Sequence, residues 1–200
     1  HASLSWKAST MATDTSAPKT TGQDSLPGDL SREELIERII RVDHAGEYGA
    51  VRIYQGQMAV LGKSPSAATL QHMTEQEKKH LETFEKLAVE RRVRPTLLTP
   101  IWHAAGFALG AGTALMGEKA AMACTQAIEE VIDEHYAEQA EKLGDDEKDL
   151  RQTIEKFRAE EVEHRDTAIA HGAEDAPGHA LLTGAIKSGS RLAIWLSERI

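Results

Sequence analysis

The chain predicts an all-α fold. It reads as a four-helix bundle of two helical hairpins, joined by an apolar crossover segment and followed by a C-terminal amphipathic helix. Three observations lead there. Only 4% of residues are aromatic while Ala, Glu and Leu are common, which favours helix over sheet. Long stretches of helical character are separated by clusters of Gly and Pro. The first pair of stretches also matches the later pair in the order and spacing of a glutamate, a tyrosine and a Glu-x-x-His segment, as a repeated hairpin would.

Taken in order, residues 1–30 are rich in Ser, Thr, Ala and Gly, lack apolar periodicity, and are expected to be a disordered tail. Their acid-poor start is compatible with the remains of an organellar transit peptide, and His1 in place of Met reads as a processed chain. The folded domain is expected over residues 31–200. Ser31-Arg-Glu-Glu34 forms a capping box leading into Leu35, Ile36, Ile39, Ile40 and Val42. That first helix runs to about residue 62, where Gly62, Ser64 and Pro65 break it. A second covers about 67–92, and Pro95 and Pro100 punctuate the stretch after it. The third covers about 118–143, ending at Gly144-Asp145-Asp146, and the fourth about 147–171. After Pro177 a last helix over about 179–198 carries Leu181, Leu182, Ile186, Leu192, Ile194, Trp195 and Leu196 among few charges.

Residues 96–117 contain no Asp, Glu, Lys or Arg before Gly117, a length sufficient to cross a bilayer. The segment is poor in Leu and Ile, however, and contains Gly106, Gly110, Gly112 and Gly117. Spanning would also place the two hairpins on opposite sides of a membrane. It is therefore expected to lie in the membrane interface beside the last helix, core burial being the alternative. Trp102 and Trp195 would then sit at headgroup level, with Lys187 and Arg191 meeting headgroups or substrate-side anions.

The charge of −9 and pI near 5.5, with no basic stripe, exclude a nucleic-acid surface. A single cysteine, Cys124, excludes an intrachain disulfide and a Cys-based zinc site, and its apolar neighbours read it as a packed thiol.

The chemistry lies in two segments, Glu77-Lys-Lys-His80 and Glu161-Val-Glu-His164. Positions i and i+3 share a helix face, so each helix offers a carboxylate and an imidazole together. Glu47 lies thirty residues before Glu77, and Glu129 thirty-two before Glu161. Each of these glutamates is followed seven residues later by a tyrosine, Tyr54 and Tyr136. Two such segments alone are within chance for a chain with 22 glutamates and 9 histidines; the matched glutamates and tyrosines raise them above it. One Glu from each of two helices, plus Glu-x-x-His from each of two others, is the ligand set of ferritin-like di-iron bundles. The expected metal ligands are Glu47, Glu77, His80, Glu129, Glu161 and His164. Two divalent cations cancel the four carboxylates, the mixed donors suit iron or manganese, and open positions remain for dioxygen.

Neighbouring residues offer rival ligands. The tyrosine spacing selects Glu129 over Glu130, while Glu134 and His135 lie one turn further on. Glu160 and Glu163 are read as solvated face. Asp43 is expected to hydrogen-bond a ligand histidine, and His44 to have a surface or capping role. Tyr54 and Tyr136 are read equally as core tyrosines or as neighbours of the metals.

Arg41-Val-Asp-His-Ala-Gly-Glu47-Tyr-Gly-Ala50, Phe107-Ala-Leu-Gly-Ala-Gly-Thr-Ala-Leu115, Ala121-Met-Ala-Cys-Thr125 and Leu196-Ser-Glu-Arg-Ile200 resemble the demethoxyubiquinone hydroxylase family of ubiquinone biosynthesis. The resemblance covers about residues 35–200. It implies a membrane-associated di-iron monooxygenase that uses O₂ to hydroxylate the ring of a polyprenyl benzoquinol, with the same six residues as iron ligands. Tyr136 is then the candidate catalytic residue, relaying a proton or electron between ring and metal. Gly106, Gly110 and Gly112 follow no strand, so no dinucleotide fingerprint is present. Electrons would come from the substrate, from NADH at the surface or from a partner reductase. Further implied partners are membrane lipids, a lipid-binding or other ubiquinone-biosynthesis protein, and copies of the chain itself. The implied location is the matrix side of the mitochondrial inner membrane, or alternatively the cytoplasmic side of a bacterial one. The departure from the family is the short connection at residues 143–148. A soluble ferroxidase or rubrerythrin-like peroxidase would use the same ligands without needing the uncharged segment. A metal-free helical scaffold would leave the matched glutamates unexplained.

Overall fold

The computed structural model describes residues 29–200, so the expected tail and its transit-peptide reading lie outside the described residues apart from Asp29 and Leu30. The described residues form six α-helices and no strand: α1 (Arg32–Leu61), α2 (Ala67–Glu90), α3 (Thr99–Leu115), α4 (Glu118–Lys142), α5 (Lys148–Ala170) and α6 (His179–Ser197). The fold is an all-α bundle of the ferritin-like kind, and α3 forms within the uncharged segment.

The capping box at the start of α1 is complete. Ser31 Oγ accepts from Glu34 N–H at 3.2 Å, and Glu34 Oε2 accepts from Ser31 N–H at 2.8 Å. Short connections at residues 62–66 and 143–147 fold α1 against α2 and α4 against α5. The second connection, the departure noted in the sequence, is a single 3₁₀ turn at Asp145–Glu147. Arg32 ties it to the start of α1, donating to Asp146 at 2.8 and 2.9 Å and to the Lys142 carbonyl at 2.8 Å.

The crossover helix α3 packs along α1, and glycine makes that approach possible. A Cβ on Gly110 would run into the Ile53 carbonyl, and one on Gly56 into the Phe107 carbonyl. Helix α6 packs mainly on α4. Lys187 pairs with Glu130, and Arg191 donates to Glu134 at 2.8 Å. The expectation that both cations meet headgroups or substrate anions is thus corrected: on docking, α6 pairs them with α4. Trp102 spends its indole N–H on Ser197 Oγ at 3.0 Å, joining α3 to α6. The outer faces of these two helices leave Ile101, Leu115, Leu181, Leu192 and Trp195 exposed, as is Leu97 just before α3. Among the described residues no helix is long and apolar enough to cross a membrane.

Two apolar clusters share the core of the four-helix unit. One holds Ile40, Phe84, Tyr136, Ile154 and Phe157, the other Tyr54, Leu70, Met73, Met122 and Ala168. Between them, halfway along every helix, sits a polar layer. Cys124 is fully buried and burial pushes its thiol up to about 12, so it is the inert packed thiol expected.

Candidate metal centre

That layer contains the six sequence-selected donors, all at most 2% exposed: Glu47 from α1, Glu77 and His80 from α2, Glu129 from α4, Glu161 and His164 from α5. They divide into two groups, Glu47–Glu77–His80–Glu161 and Glu77–Glu129–Glu161–His164, each with donor atoms within 4.8 Å of one another. Glu77 and Glu161 belong to both. Each group thus has one glutamate and one histidine of its own, arranged about two shared carboxylates, as the repeated hairpins lead one to expect. His80 Nδ1 lies 2.9 Å from Glu161 Oε1 and 3.5 Å from Glu47 Oε2. His164 Nδ1 lies 3.0 Å from Glu77 Oε1 and 3.1 Å from Glu161 Oε2.

Four buried carboxylates this close cannot all remain charged without cations. Burial, then the Glu161 charge, pushes Glu77 and Glu129 well above the usual carboxylate range. Burial also pushes Glu161 up, but the imidazoles of His164 and His80 outweigh it and hold the carboxyl at about 2. Burial alone would lower the two imidazoles. Their carboxylate contacts, Glu161 and Glu47 for His80, Glu161 and Glu77 for His164, instead raise them to about 12 and about 11.

The outer partners repeat across the two halves. Tyr54 donates to Glu129 Oε1 at 2.7 Å, and Tyr136 donates to Glu47 Oε1. Each tyrosine serves the glutamate of the other hairpin, although it shares a helix with its own. Both therefore lie at the centre, and Tyr136 touches Glu47. The imidazoles turn Nε2 outward, His80 to Glu160 Oε2 at 2.6 Å and His164 to Gln76 Oε1 at 3.1 Å. Phe157 stacks on His80 at 4.0 Å between ring centres.

Three expectations are corrected here. Glu160 is not simply solvated face; it bonds His80, and its helix side partly shields it. Asp43 bonds no ligand histidine: Gln139 donates to it at 2.7 Å, and His135 Nε2 stands 3.8 Å away. His44 is 7% exposed rather than superficial, and burial lowers its pKa. Glu130 is held by Gln126 and Lys187, in keeping with the choice of Glu129, and Glu163 is exposed. Sequence reasoning passes over Gln76 and Glu160 as partners of the imidazoles. A signal for them exists, since each directly precedes the glutamate of a Glu-x-x-His segment.

The layer suits a pair of divalent cations. Glu77 Oε2 and Glu129 Oε2 are buried with no hydrogen-bond or ion-pair partner among the described residues, a costly state for a carboxylate that nothing binds. Metal loading should consequently release protons, because cations displace them from the two imidazoles and from Glu77 and Glu129, whereas Glu161 has none to give. The sign is fixed: protons compete with metal, so affinity rises with pH across the neutral range. Calorimetric titration with Fe(II) in buffers of different ionisation enthalpy should show buffer-dependent heat, and identical heats in all buffers would contradict this charge distribution.

Beside the layer lies an apolar cavity of about 520 Å³, walled by α1, α3, α4 and α6. Gly46 of α1 and Ile128 of α4, the immediate neighbours of Glu47 and Glu129, line it. Trp102 of α3 and Ala185, Ala193 and Ile194 of α6 line it as well.

Comparison with known proteins bears on the same architecture. The family model described as "Ubiquinone biosynthesis protein COQ7" matches residues 34–197, a span that includes every donor and every wall of the cavity. A Rhodospirillum rubrum protein named 3-demethoxyubiquinol 3-hydroxylase is 63% identical over 181 residues, covering 90% of this chain and 85% of its own length. A Homo sapiens protein named NADPH-dependent 3-demethoxyubiquinone 3-hydroxylase, mitochondrial, is 54% identical over 169 residues (82% and 78% of the two chains). The Saccharomyces cerevisiae 5-demethoxyubiquinone hydroxylase, mitochondrial, is 45% identical over 183 residues (83% and 78%). Identity at this level across most of each chain leaves no room for a different bundle with the same motif, and the protein belongs to the COQ7 family of ubiquinone biosynthesis.

Proposed function

We propose that the protein is a di-iron monooxygenase that hydroxylates the ring of a demethoxy polyprenyl benzoquinol, acting as a 3-demethoxyubiquinol 3-hydroxylase. The observation that carries this reading is the pair of donor groups sharing Glu77 and Glu161, set against an apolar cavity of prenyl-chain character. Glu47 and His80 would hold one iron, Glu129 and His164 the other, with Glu77 and Glu161 reaching both. Bound iron supplies redox chemistry with O₂ that side chains lack.

The remaining work falls to the chain. The cavity takes the apolar part of the substrate, and α1 and α4, which line it, bring the ring toward Glu47 and Glu129. Burial of the layer excludes bulk water. Tyr136, held on Glu47 by its hydroxyl, is the group placed to pass a proton between the ring and the centre; burial and the Glu47 charge keep it protonated. A storage ferroxidase has no need of the cavity, which favours the hydroxylase over that alternative.

The exposed apolar faces of α3 and α6 border the cavity and suit a bilayer surface, letting a prenylated quinol enter laterally without passing through water. The proposed setting is an inner membrane, mitochondrial or bacterial. Several relatives are named as NADPH-dependent, and NADPH thereby joins the substrate, NADH and a partner reductase as a proposed source of electrons. The proposed associations with a second biosynthetic protein and with further copies of the chain rest on family resemblance.

The test supplies iron-loaded protein with a demethoxy-quinol analogue and ¹⁸O₂. One labelled oxygen should appear in the new ring hydroxyl. Tyr136→Phe should retain iron and lose roughly 10²-fold or more in turnover, the usual scale for a lost proton-transfer group. Unlabelled product, or Fe(II) oxidised and stored in bulk, would overturn the proposal.

A further inference from the structure

The repeated hairpins make the two halves of the centre nearly equivalent. Each half has its own glutamate with a tyrosine hydroxyl on it, its own imidazole directed inward through Nδ1, and the same two shared carboxylates. The equivalence breaks on the outer side of the imidazoles. With Nδ1 facing the centre, Nε2 carries a proton and donates it outward. His80 donates to a carboxylate, Glu160 Oε2 at 2.6 Å; His164 donates to a carboxamide, Gln76 Oε1 at 3.1 Å. The two acceptors occupy the same register, one residue before the shared glutamate of the opposite hairpin. The substitution of one charge at a matched position is thus the clearest difference between the halves.

An ionised acceptor forms a shorter hydrogen bond, about twice as strong as a neutral one. It draws the Nε2 proton outward, adds negative character to the ring, and makes Nδ1 a stronger donor. The Glu160 side chain is 28% exposed, and Lys156, itself largely exposed, stands 3.8 Å from its other oxygen, so the oxygen facing His80 has the imidazole as its close partner. Phe157, stacked on His80, fixes the ring plane in which this bond lies. Gln76 is neutral and gives His164 no such help.

We propose that Glu160 is a positioning residue that makes the two metal positions unequal, the Glu47–His80 position binding its metal more tightly than the Glu129–His164 position. The proposal rests on the iron-pair reading above and assigns an order of filling within it. The first equivalent of metal enters beside His80, and the second enters the weaker position beside His164.

The experiment is an anaerobic titration of the full chain with ⁵⁷Fe(II), followed by Mössbauer spectroscopy at one and two equivalents. Wild type should give one ferrous doublet first and a second, distinct doublet on completion. Glu160→Gln should weaken the first binding step roughly 10–100-fold and draw the doublets together. Gln76→Glu should draw them together by strengthening the second step instead. The exchange of both, E160Q with Q76E, should restore two distinct doublets and stepwise filling, a recovery that general damage to the fold cannot produce. Wild-type protein that binds fewer than two irons would remove the iron-pair reading and this inference with it. Two bound irons with spectra and affinities unmoved by any of the three variants would overturn the inference alone.

Discussion

Glu161→Ala is expected to strip the protein of both metals at once and to reduce hydroxylation to background. The reason is positional. Glu161 belongs to both donor groups and contacts both imidazoles, at 2.9 Å from His80 and 3.1 Å from His164. On the proposed di-iron reading, its loss removes a ligand from each metal and the counter-charge that orients both rings. Glu47→Ala and Glu129→Ala should each affect chiefly one position, so iron content should fall toward one equivalent rather than toward none. Helical content should survive in all three, because the two apolar clusters on either side of the layer do not include these residues. The imidazoles can release their protons rather than remain as unpaired buried charges. Iron analysis and circular dichroism on the same samples decide the matter. Full activity in Glu47→Ala or His80→Ala would remove the centre from the reaction.

The second large effect is expected from closing the cavity. Ala193 lines it from α6, while Gly46 and Ile128 line it from α1 and α4. A tryptophan there fills space that the proposal gives to the prenylated substrate. In Ala193→Trp, kcat/KM for a long-chain demethoxy-quinol should fall by at least about tenfold, equivalent to about 1.4 kcal/mol of lost transition-state binding. Iron content should stay at the wild-type level, since no ligand is touched. A short-chain, water-soluble analogue should lose much less, because it does not need the full cavity. Equal losses for both substrates would show that the cavity is not where the apolar chain lies.

Most of the helical layout is legible in the residues themselves. Ser31 with Glu34, the glycine–proline breaks and the acidic turn before α5 are local signals, and local backbone preferences realise them wherever the chain goes. The six donors are legible for a related reason: the i, i+3 spacing is a property of one helix, and duplication supplies the check. Glu160 is easily misread because it sits on the outward side of its own helix, where carboxylates are ordinarily solvated. Its own helix offers it only the exposed Lys156, and the approach of α2 brings it His80. The same applies to Lys187 and Arg191, whose partners Glu130 and Glu134 are met when α6 docks on α4. Asp43 and His44 escape a sequence reading because their neighbours belong to other helices.

The sequence by itself therefore determined the helices, their pairing into two hairpins, and which six acidic and histidine side chains were candidates to meet in one layer, because spacing along one helix fixes which residues share a face. The tertiary structure decided what those faces meet. It crossed the tyrosines, Tyr54 to Glu129 and Tyr136 to Glu47, and made Glu77 and Glu161 common to both groups. It also opened the cavity between α1, α3, α4 and α6, and gave one histidine a carboxylate and the other an amide. These depend on distances between segments far apart in the chain, set by helix packing, and helix packing is governed by the shape of whole surfaces rather than by any local pattern of residues.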